Sequence, residues 1–146
     1  MEYQPIKSGF LVRLFRDEKL TETLLAFIKK RKIQGGSISG IGAIEKVTIG
    51  YFDRNEKQYQ RREFNDIYEV VSYIGNISYV RDEPLIHAHI ILGDREFCSY
   101  AGHFFEGTVA VTMEVFITVA DDMIFREKDD DLQLNLLRLK SQIKSG

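Results

Sequence analysis

Apolar residues at the N-terminal end of the chain first alternate with polar ones and then recur at helical spacing. The alternation from Gly9 to Arg16 predicts a strand. Asp17 offers an N-cap for the next element, a helix, and Gly35-Gly36 offers its stop. The apolar residues of this helix are Leu20, Leu24, Phe27 and Ile28. Their spacing makes it the clearest helix that the pattern predicts.

Beyond residue 36 the apolar period shortens to two, which predicts a succession of strands. These strands are Ser37 to Asp53, Lys57 to Phe64, Ile67 to Val80, Leu85 to Leu92, Phe97 to Phe104 and Thr108 to Ala120. Glycines within the first strand indicate bulges. The Gly93-Asp94 pair indicates that the fourth and fifth strands form a hairpin. The last strand is almost wholly apolar, so we expect it to be central and covered on both faces.

The end of the chain combines an acidic run with a series of leucines. Asp129 to Asp131 is expected to be solvated, and the leucines after it predict a short helix. Those leucines are Leu132, Leu134, Leu136, Leu137 and Leu139. The pattern as a whole contains no repeat and no linker. It predicts a single α+β domain over residues 1–146, built on an antiparallel-dominated sheet with flanking helices.

The composition supports a folded domain in the cytoplasm. Of the 146 residues, 44% are hydrophobic and 12% are aromatic, which is enough for a core. No apolar run approaches the roughly 20 residues of a membrane span, and the first residues lack the features of a signal peptide. Cys98 is the single cysteine, which excludes an intrachain disulfide. Its aromatic neighbours favour a place in the core over a role as a metal ligand.

The near balance of charges argues against general affinity for nucleic acids. The formal net charge is -2, from 20 basic and 22 acidic residues. Affinity for nucleic acids comes mainly from neutralised phosphates, and this chain has no excess of basic residues for that purpose. Two basic clusters, Lys29 to Lys32 and Arg61-Arg62, are interpreted as the solvated ends of a helix and of a hairpin.

The three histidines of the chain all fall on the predicted hairpin. His87 and His89 are two residues apart on a strand, so their side chains project from the same face, about 7 Å apart at the backbone. The residues that alternate with this pair are apolar and suit the core: Ile86, Ala88 and Ile90. Two imidazoles placed in this way can bind one metal ion.

The place of His103 depends on the register of the hairpin. A loop of three residues would put it opposite residue 85, and a loop of five would put it opposite residue 87. In both registers His103 shares the face of His87 and His89, whereas a two-residue loop would turn it to the other face. A common site for the three histidines therefore requires a loop of odd length or a bulge.

Three imidazoles are a ligand set typical of catalytic zinc, because they leave one coordination position open. Imidazole also suits copper, nickel and iron, so Zn²⁺ is the expected metal but the same ligands accept other transition metals. The alternative interpretation is that these histidines are ordinary surface or hydrogen-bonded residues, since a His-x-His pair also arises by chance.

Two glutamates are candidates for catalytic proton transfer beside such a metal. Glu114 is the one charged residue between Gly107 and Ala120. Because a buried carboxylate needs a partner, we expect Glu114 to contact the metal, a metal-bound water, or an arginine such as Arg81 or Arg95. Glu106 lies shortly after the third histidine in sequence and is expected at the rim of the pocket.

Several segments together resemble the PPC ("plants and prokaryotes conserved") domain. They are Ser39-Gly40-Ile41-Gly42-Ala43-Ile44, Tyr68 to Ile77, His87-Ala88-His89, Gly102 to Val109 and the strand that contains Glu114. The segments occur in the expected order over about residues 9–121, which leaves residues 122–146 as a C-terminal tail. The three histidines match the histidine pattern of the prokaryotic members.

The resemblance implies a homotrimer built on an antiparallel sheet with flanking helices. In plant members the domain accompanies AT-hook DNA-binding motifs, and it mediates trimerisation and contacts with other nuclear proteins. This sequence has no Arg-Gly-Arg-Pro AT-hook, so DNA binding is not carried over, although stand-alone prokaryotic members are often labelled as DNA-binding. The fold is also similar to that of acetolactate decarboxylase, which holds zinc through a His-x-His pair and a further histidine.

Three functions therefore compete. The first is a trimeric zinc-binding protein with a small-molecule pocket, in which the metal polarises a carbonyl or acidifies a water and Glu114 or Glu106 moves protons. Lyase-like chemistry enters this hypothesis through analogy of fold alone. The second is a regulatory or scaffolding module whose metal is structural. The third is a DNA-binding protein, which fits the acidic net charge least.

Overall fold

The computed structural model describes residues 1–139, which form nine strands and one helix. The elements are β1 (Glu2–Ile6), β2 (Gly9–Phe15), α1 (Leu20–Arg31), β3 (Gly36–Asp53), β4 (Gln58–Phe64), β5 (Tyr68–Val80), β6 (Glu83–Gly93), β7 (Ser99–Val119), β8 (Phe125–Lys128) and β9 (Asn135–Arg138). The expectation of several flanking helices is therefore wrong for the described part of the chain. Its one helix is too short and too polar to cross a membrane.

The strands form one mixed sheet in which almost every pair is antiparallel. β3 and β6 each pair with both β5 and β7, so these four strands form a closed ring. β1 and β2 extend the sheet from β7, and β4 extends it from β3. The β8–β9 hairpin joins β5 through a single parallel bridge between Tyr79 and Phe125. The predicted dominance of antiparallel pairing is confirmed.

The helix buries the four apolar residues that its pattern predicted, all of them at most 2% exposed. Its ends differ from the prediction. Asp17 adopts a left-handed φ of 69° and is not the N-cap; Lys19 takes that position without a side-chain hydrogen bond. Lys32, with a φ of 54°, forms the left-handed C-cap, so the chain turns before it reaches Gly35-Gly36. The glycine pair instead leads into β3.

Strand β7 unites two predicted strands and is covered on one face. Its inward residues Met113, Val115 and Ile117 are fully buried in the core. Val111 and Phe116 point the other way and are 63% and 51% exposed. The expectation that this strand is covered on both faces is wrong, because in the described chain the helix covers only the core side. We call the side of the sheet turned away from the core the outer face.

The C-terminal tail forms a β-hairpin where a short helix was predicted. The Asp129 carboxylate accepts the backbone N–H of Leu132 at 2.7 Å, and the Asp129 N–H donates to the Leu134 carbonyl at 2.8 Å. These bonds close a turn between β8 and β9, so the leucines beyond it extend as a strand. The acidic run thus caps a turn and not a helix.

Two further features depart from the sequence pattern. β1 was not predicted, because it contains a proline and buries little; as an edge strand it tolerates both. Cys98, expected in the core, is exposed. It lies in the loop between β6 and β7, where hydrogen bonds to the Asp94 carboxylate, and not the apolar pattern, determine the path of the backbone.

Two buried tyrosines offer a matched test of this core. The Tyr73 hydroxyl has no hydrogen-bond partner among the described residues, whereas the Tyr79 hydroxyl donates to the Ile33 carbonyl at 2.8 Å. We expect Tyr73→Phe to raise the free energy of unfolding by about 1 kcal/mol and Tyr79→Phe to lower it by about 1 kcal/mol. Chemical denaturation measures both values. Equal losses in the two variants would show that Tyr73 has a partner.

Candidate metal centre

A five-residue loop sets the register that brings the histidines together. β6 ends at Gly93 and β7 begins at Ser99, so the loop has the odd length that a common site requires. The Asp94 carboxylate accepts the N–H groups of Glu96 at 2.9 Å and Cys98 at 2.8 Å, which holds the loop in shape. The odd parity is confirmed. The neighbour of His103 differs from the prediction: it is residue 89, two positions beyond residue 87 and on the same face.

The three imidazole rings meet on the outer face of the sheet. Their centroids lie 5.4 Å apart for His87 and His89, 5.1 Å for His87 and His103, and 5.6 Å for His89 and His103. One ring nitrogen from each lies within 4.8 Å of the others. The buried Nδ1 of His103 has no hydrogen-bond partner in residues 1–139. Three convergent imidazole nitrogens are a donor set that fits a tetrahedral or trigonal metal ion.

Aromatic residues and an aliphatic one form the immediate walls of the cluster. The ring of Tyr59 on β4 lies 4.7 Å from that of His103, and Phe105 packs against the same imidazole at 4.8 Å. Ile74 on β5 stands directly opposite His89 and is 59% exposed. Burial raises the pKa of the Tyr59 hydroxyl, and the charge of Arg126 offsets part of that rise. Tyr59 therefore keeps its proton at neutral pH.

Arg126 of the C-terminal hairpin closes the cluster from the side of β5. It is only 7% exposed, and its guanidinium donates to Ser78 Oγ and Asn76 Oδ1, both at 2.8 Å, and to the Asn135 carbonyl at 2.7 Å. The Nη2 atom of Arg126 that donates to Asn76 also lies 3.1 Å from Nδ1 of His87. Because a guanidinium has no acceptor, Nδ1 accepts this bond and the neutral ring carries its proton on Nε2. Metal binding at His87 therefore either releases that proton or displaces Arg126 from Nδ1.

The electrostatic environment favours the neutral form of two of the imidazoles, those of His87 and His103. Burial lowers the pKa of His87, and the charges of Arg126 and His89 lower it further. Burial also lowers the pKa of His103 from 6.5 to about 4, with additional contributions from the other two histidines, Arg61 and Arg126. A metal ion binds neutral imidazole, so these shifts reduce competition from protons near pH 7.

The two predicted catalytic glutamates lie elsewhere in the described structure. Glu114 is exposed on β7, opposite Arg13 on β2, and lines a surface cleft beside β1. Its expected partners, Arg81 and Arg95, form no ion pair with it. Glu106 is exposed beside the start of α1, in a cleft that also contains Lys19. The structure joins neither carboxylate to the histidines, so their catalytic role stays a prediction.

Sequence reasoning missed several residues that form the site. Tyr59, Phe105 and Arg126 reach the histidines from three different strands. Tyr59 and Arg61 are two residues apart on β4, so they share one face of this strand. The sequence predicted the strand but not the strand that it pairs with, so these residues could not be placed beside the histidines. The Arg61-Arg62 pair is exposed, as expected, but it lies within β4 and not at the end of a hairpin. Arg126 was missed because the sequence pattern predicted no element for the segment that became β8.

A family model matches most of the chain. The model of the Plants and Prokaryotes Conserved (PCC) domain matches residues 1–121. The chain belongs to this family. The resemblance to the PPC domain found in the sequence is thereby confirmed. The match ends before the β8–β9 hairpin, so Arg126 lies outside the part of the chain that the PCC model covers.

Solved structures of similar proteins span nearly the whole chain. A PPC protein from Pyrococcus horikoshii is 31% identical, with a TM-score of 0.84 and 96% of each chain covered. A metal-containing protein from Archaeoglobus fulgidus is 30% identical, with a TM-score of 0.83, covering 94% of this chain and 97% of that one. A conjectured DNA-binding protein from Bacteroides thetaiotaomicron is 29% identical, with a TM-score of 0.91 and coverage of 94% and 96%.

One enzyme of known structure is similar to this chain in fold. Acetolactate decarboxylase from Bacillus subtilis subspecies spizizenii is 18% identical, with a TM-score of 0.56, covering 88% of this chain and 59% of that one. The predicted likeness of fold to this enzyme is confirmed, and the likeness extends to the fold alone. No curated protein matches the sequence.

The lowered pKa of His103 predicts how the metal-free protein responds to acid. Since the unfolded chain protonates this histidine near pH 6.5 and the folded chain near pH 4, the unfolded state binds more protons in between. Stability should therefore fall as the pH is lowered through this window. Melting temperatures at pH 7, 6 and 5 should drop more steeply for the unmodified protein than for His103→Gln. Parallel curves would contradict the assignment.

Proposed function

We propose that this PCC-domain protein binds one divalent transition-metal ion per chain, zinc in particular, through His87, His89 and His103. The observation that carries the proposal is the convergence of three imidazole nitrogens within 4.8 Å. No carboxylate or thiol of residues 1–139 joins the cluster, so the ligand set consists of imidazoles and favours zinc, copper or nickel over magnesium or calcium. The metal-containing relative from Archaeoglobus fulgidus supports the same interpretation.

An open position beside three imidazoles suits a small-molecule ligand. When bound, the metal would supply a Lewis acid that polarises a carbonyl or acidifies a water. Tyr59, whose ring packs on His103, retains its proton at neutral pH and is placed to donate a hydrogen bond to such a ligand. Before a metal binds, Arg126 donates to Nδ1 of His87. The function supported best is thus metal binding with a site for a small molecule.

We also propose that the protein is a homotrimer assembled through the outer face. The strand registers place Phe116, Ser39, Ile74, His89 and His103 in one row across this face. Phe116 and Ile74, the apolar members of the row, are more than half exposed, which is uncommon for side chains at the centre of a sheet. A second copy seated on this row would cover both and would border the histidine cluster.

The same row favours a second candidate function, a scaffolding or regulatory module in which the metal is structural. In that case the metal would stabilise the edge of the interface, and its removal would dissociate the oligomer. DNA binding has weaker support. The conjectured DNA-binding relative favours it, but the net charge of -2 gives no overall excess of basic residues to neutralise phosphates.

Metal analysis tests the proposed centre directly. Protein prepared without a nickel column should contain about one zinc per chain, measured by plasma mass spectrometry, and should bind zinc again after chelation. His87→Ala and His103→Ala should each weaken zinc binding at least about 100-fold, since each removes one of three ligands. Glu114→Gln is the matched control and should bind zinc as the unmodified protein does. Unchanged affinity in the histidine variants would refute the centre.

Sedimentation equilibrium tests the trimer. The unmodified protein should sediment at three times the chain mass, and Phe116→Asp should shift it to the monomer because the variant places a charge at the centre of the proposed interface. Tyr51→Asp removes an aromatic that is 71% exposed but lies outside the row, and it should leave the trimer intact. Equal sedimentation of the two variants would favour a different interface. A trimer that forms only in the presence of zinc would favour the structural role of the metal.

A further inference from the structure

The histidine cluster is surrounded by positive charge that the described residues do not neutralise. Arg126 contacts His87 directly, and no carboxylate lies among the ligand-capable residues of the cluster. A divalent ion held by three neutral imidazoles would keep its whole charge of +2. Electrostatics therefore favours an anion at the open side of the site, supplied from outside the described chain.

Arg61 lies beside the histidine cluster, where it could contact such an anion. Gly50 on β3 pairs with Arg61 of β4 on one side and with His103 of β7 on the other. Phe105 fills the space above this glycine: a Cβ on Gly50 would lie 2.6 Å from the Phe105 ring. The guanidinium of Arg61 stacks on Phe105, with its Cζ 4.0 Å from the ring centroid, and Phe105 in turn packs on His103. The glycine thus allows the phenyl ring to hold a guanidinium beside the centre.

The two arginines at the site differ in what their donors already bind. Arg126 is buried and uses its donors on Ser78, Asn76, Asn135 and His87. Arg61 is exposed, and within residues 1–139 its side chain makes neither a hydrogen bond nor an ion pair. Arg126 is therefore a positioning residue, and Arg61 is the guanidinium with donors left for a ligand.

We propose that Arg61 binds the oxyanion group, carboxylate or phosphate, of the small molecule that occupies the histidine centre. A guanidinium binds such groups through two parallel hydrogen bonds, and stacking on Phe105 leaves the in-plane N–H groups of Arg61 free to do so. This inference rests on the proposed metal centre and adds the chemical class of its ligand. Arg62, the next residue, lies over Phe64 and Tyr100 on the opposite side of β4 and takes no part.

Cobalt-substituted protein provides the test, because the visible absorption of Co²⁺ reports on its ligands without any enzymatic assay. The Co²⁺ protein is titrated at low ionic strength with acetate, with inorganic phosphate and with neutral acetamide. We expect at least one of the two anions to change the visible spectrum of Co²⁺, and we expect acetamide to leave it unchanged. Acetate alone, or phosphate alone, would identify the carboxylate or the phosphate as the group that the site accepts.

Matched variants assign the effect to Arg61. Arg61→Gln should weaken anion binding about tenfold, since it removes a charge-assisted bidentate contact, whereas Arg62→Gln should leave the binding unchanged. Arg61→Lys, which keeps the charge without the planar donors, should fall between them. Stoichiometric cobalt in each variant shows that the fold and the centre are intact.

The outcomes separate the two proposals. Absence of cobalt binding in the unmodified protein would refute the metal centre, and with it the anion site. Cobalt binding with equal anion affinity in Arg61→Gln and Arg62→Gln would refute only the role of Arg61. Tighter binding of acetamide than of acetate would refute the anionic class of the ligand.

Discussion

The alternation of side chains along β6 and β7 is the constraint on which the histidine centre depends. A strand presents successive residues to opposite faces, so the length of one loop determines whether His103 joins His87 and His89 or turns into the core. The carboxylate of Asp94 stabilises the five-residue conformation of this loop by accepting hydrogen bonds from two of its backbone N–H groups. A loop one residue shorter would exchange the three-imidazole cluster for a histidine among buried aliphatic side chains.

The same constraint ties the centre to the core behind it. Ala88 and Ile90, which alternate with the histidines, are both 1% exposed. Gly75 lies opposite Ala88, and a Cβ on this glycine would lie 2.2 Å from the His87 carbonyl. The missing side chain lets β5 and β6 pair closely at this point, which keeps Asn76 beside His87 and within reach of a single guanidinium. Packing on one face of the sheet thus determines the geometry on the other.

The sequence was informative where a local period determined the outcome. The helix face, the succession of strands along the chain and the parity of the histidine hairpin all result from spacing within a short segment. The errors arose where distant contacts determine the structure. Asp17 resembles an N-cap but adopts a left-handed turn. Leu136 and Leu137 lie in a strand, β9, because β8 docks on β5 and β9 pairs with β8. Tyr59 and Arg126 could not be assigned to the site, because their proximity to His103 and His87 depends on the pairing of strands far apart in sequence.

The apolar residues of β7 illustrate another limit. Val111 and Phe116 have the character of core residues, yet the single chain exposes them. A hydrophobic pattern indicates that residues are buried, but it does not show whether the same chain or another molecule buries them. The expectation of a strand buried on both faces therefore agreed with the pattern but is wrong for the isolated chain.

Arg126 reaches the histidines from a hairpin that lies beyond the PCC match. This hairpin therefore places a positive charge in direct contact with the candidate metal site. Relatives that share the three histidines but end differently would surround the same ligands with a different electric field. The histidine triad alone is consequently a poor guide to which metal, and which reactivity, a given member of the family has.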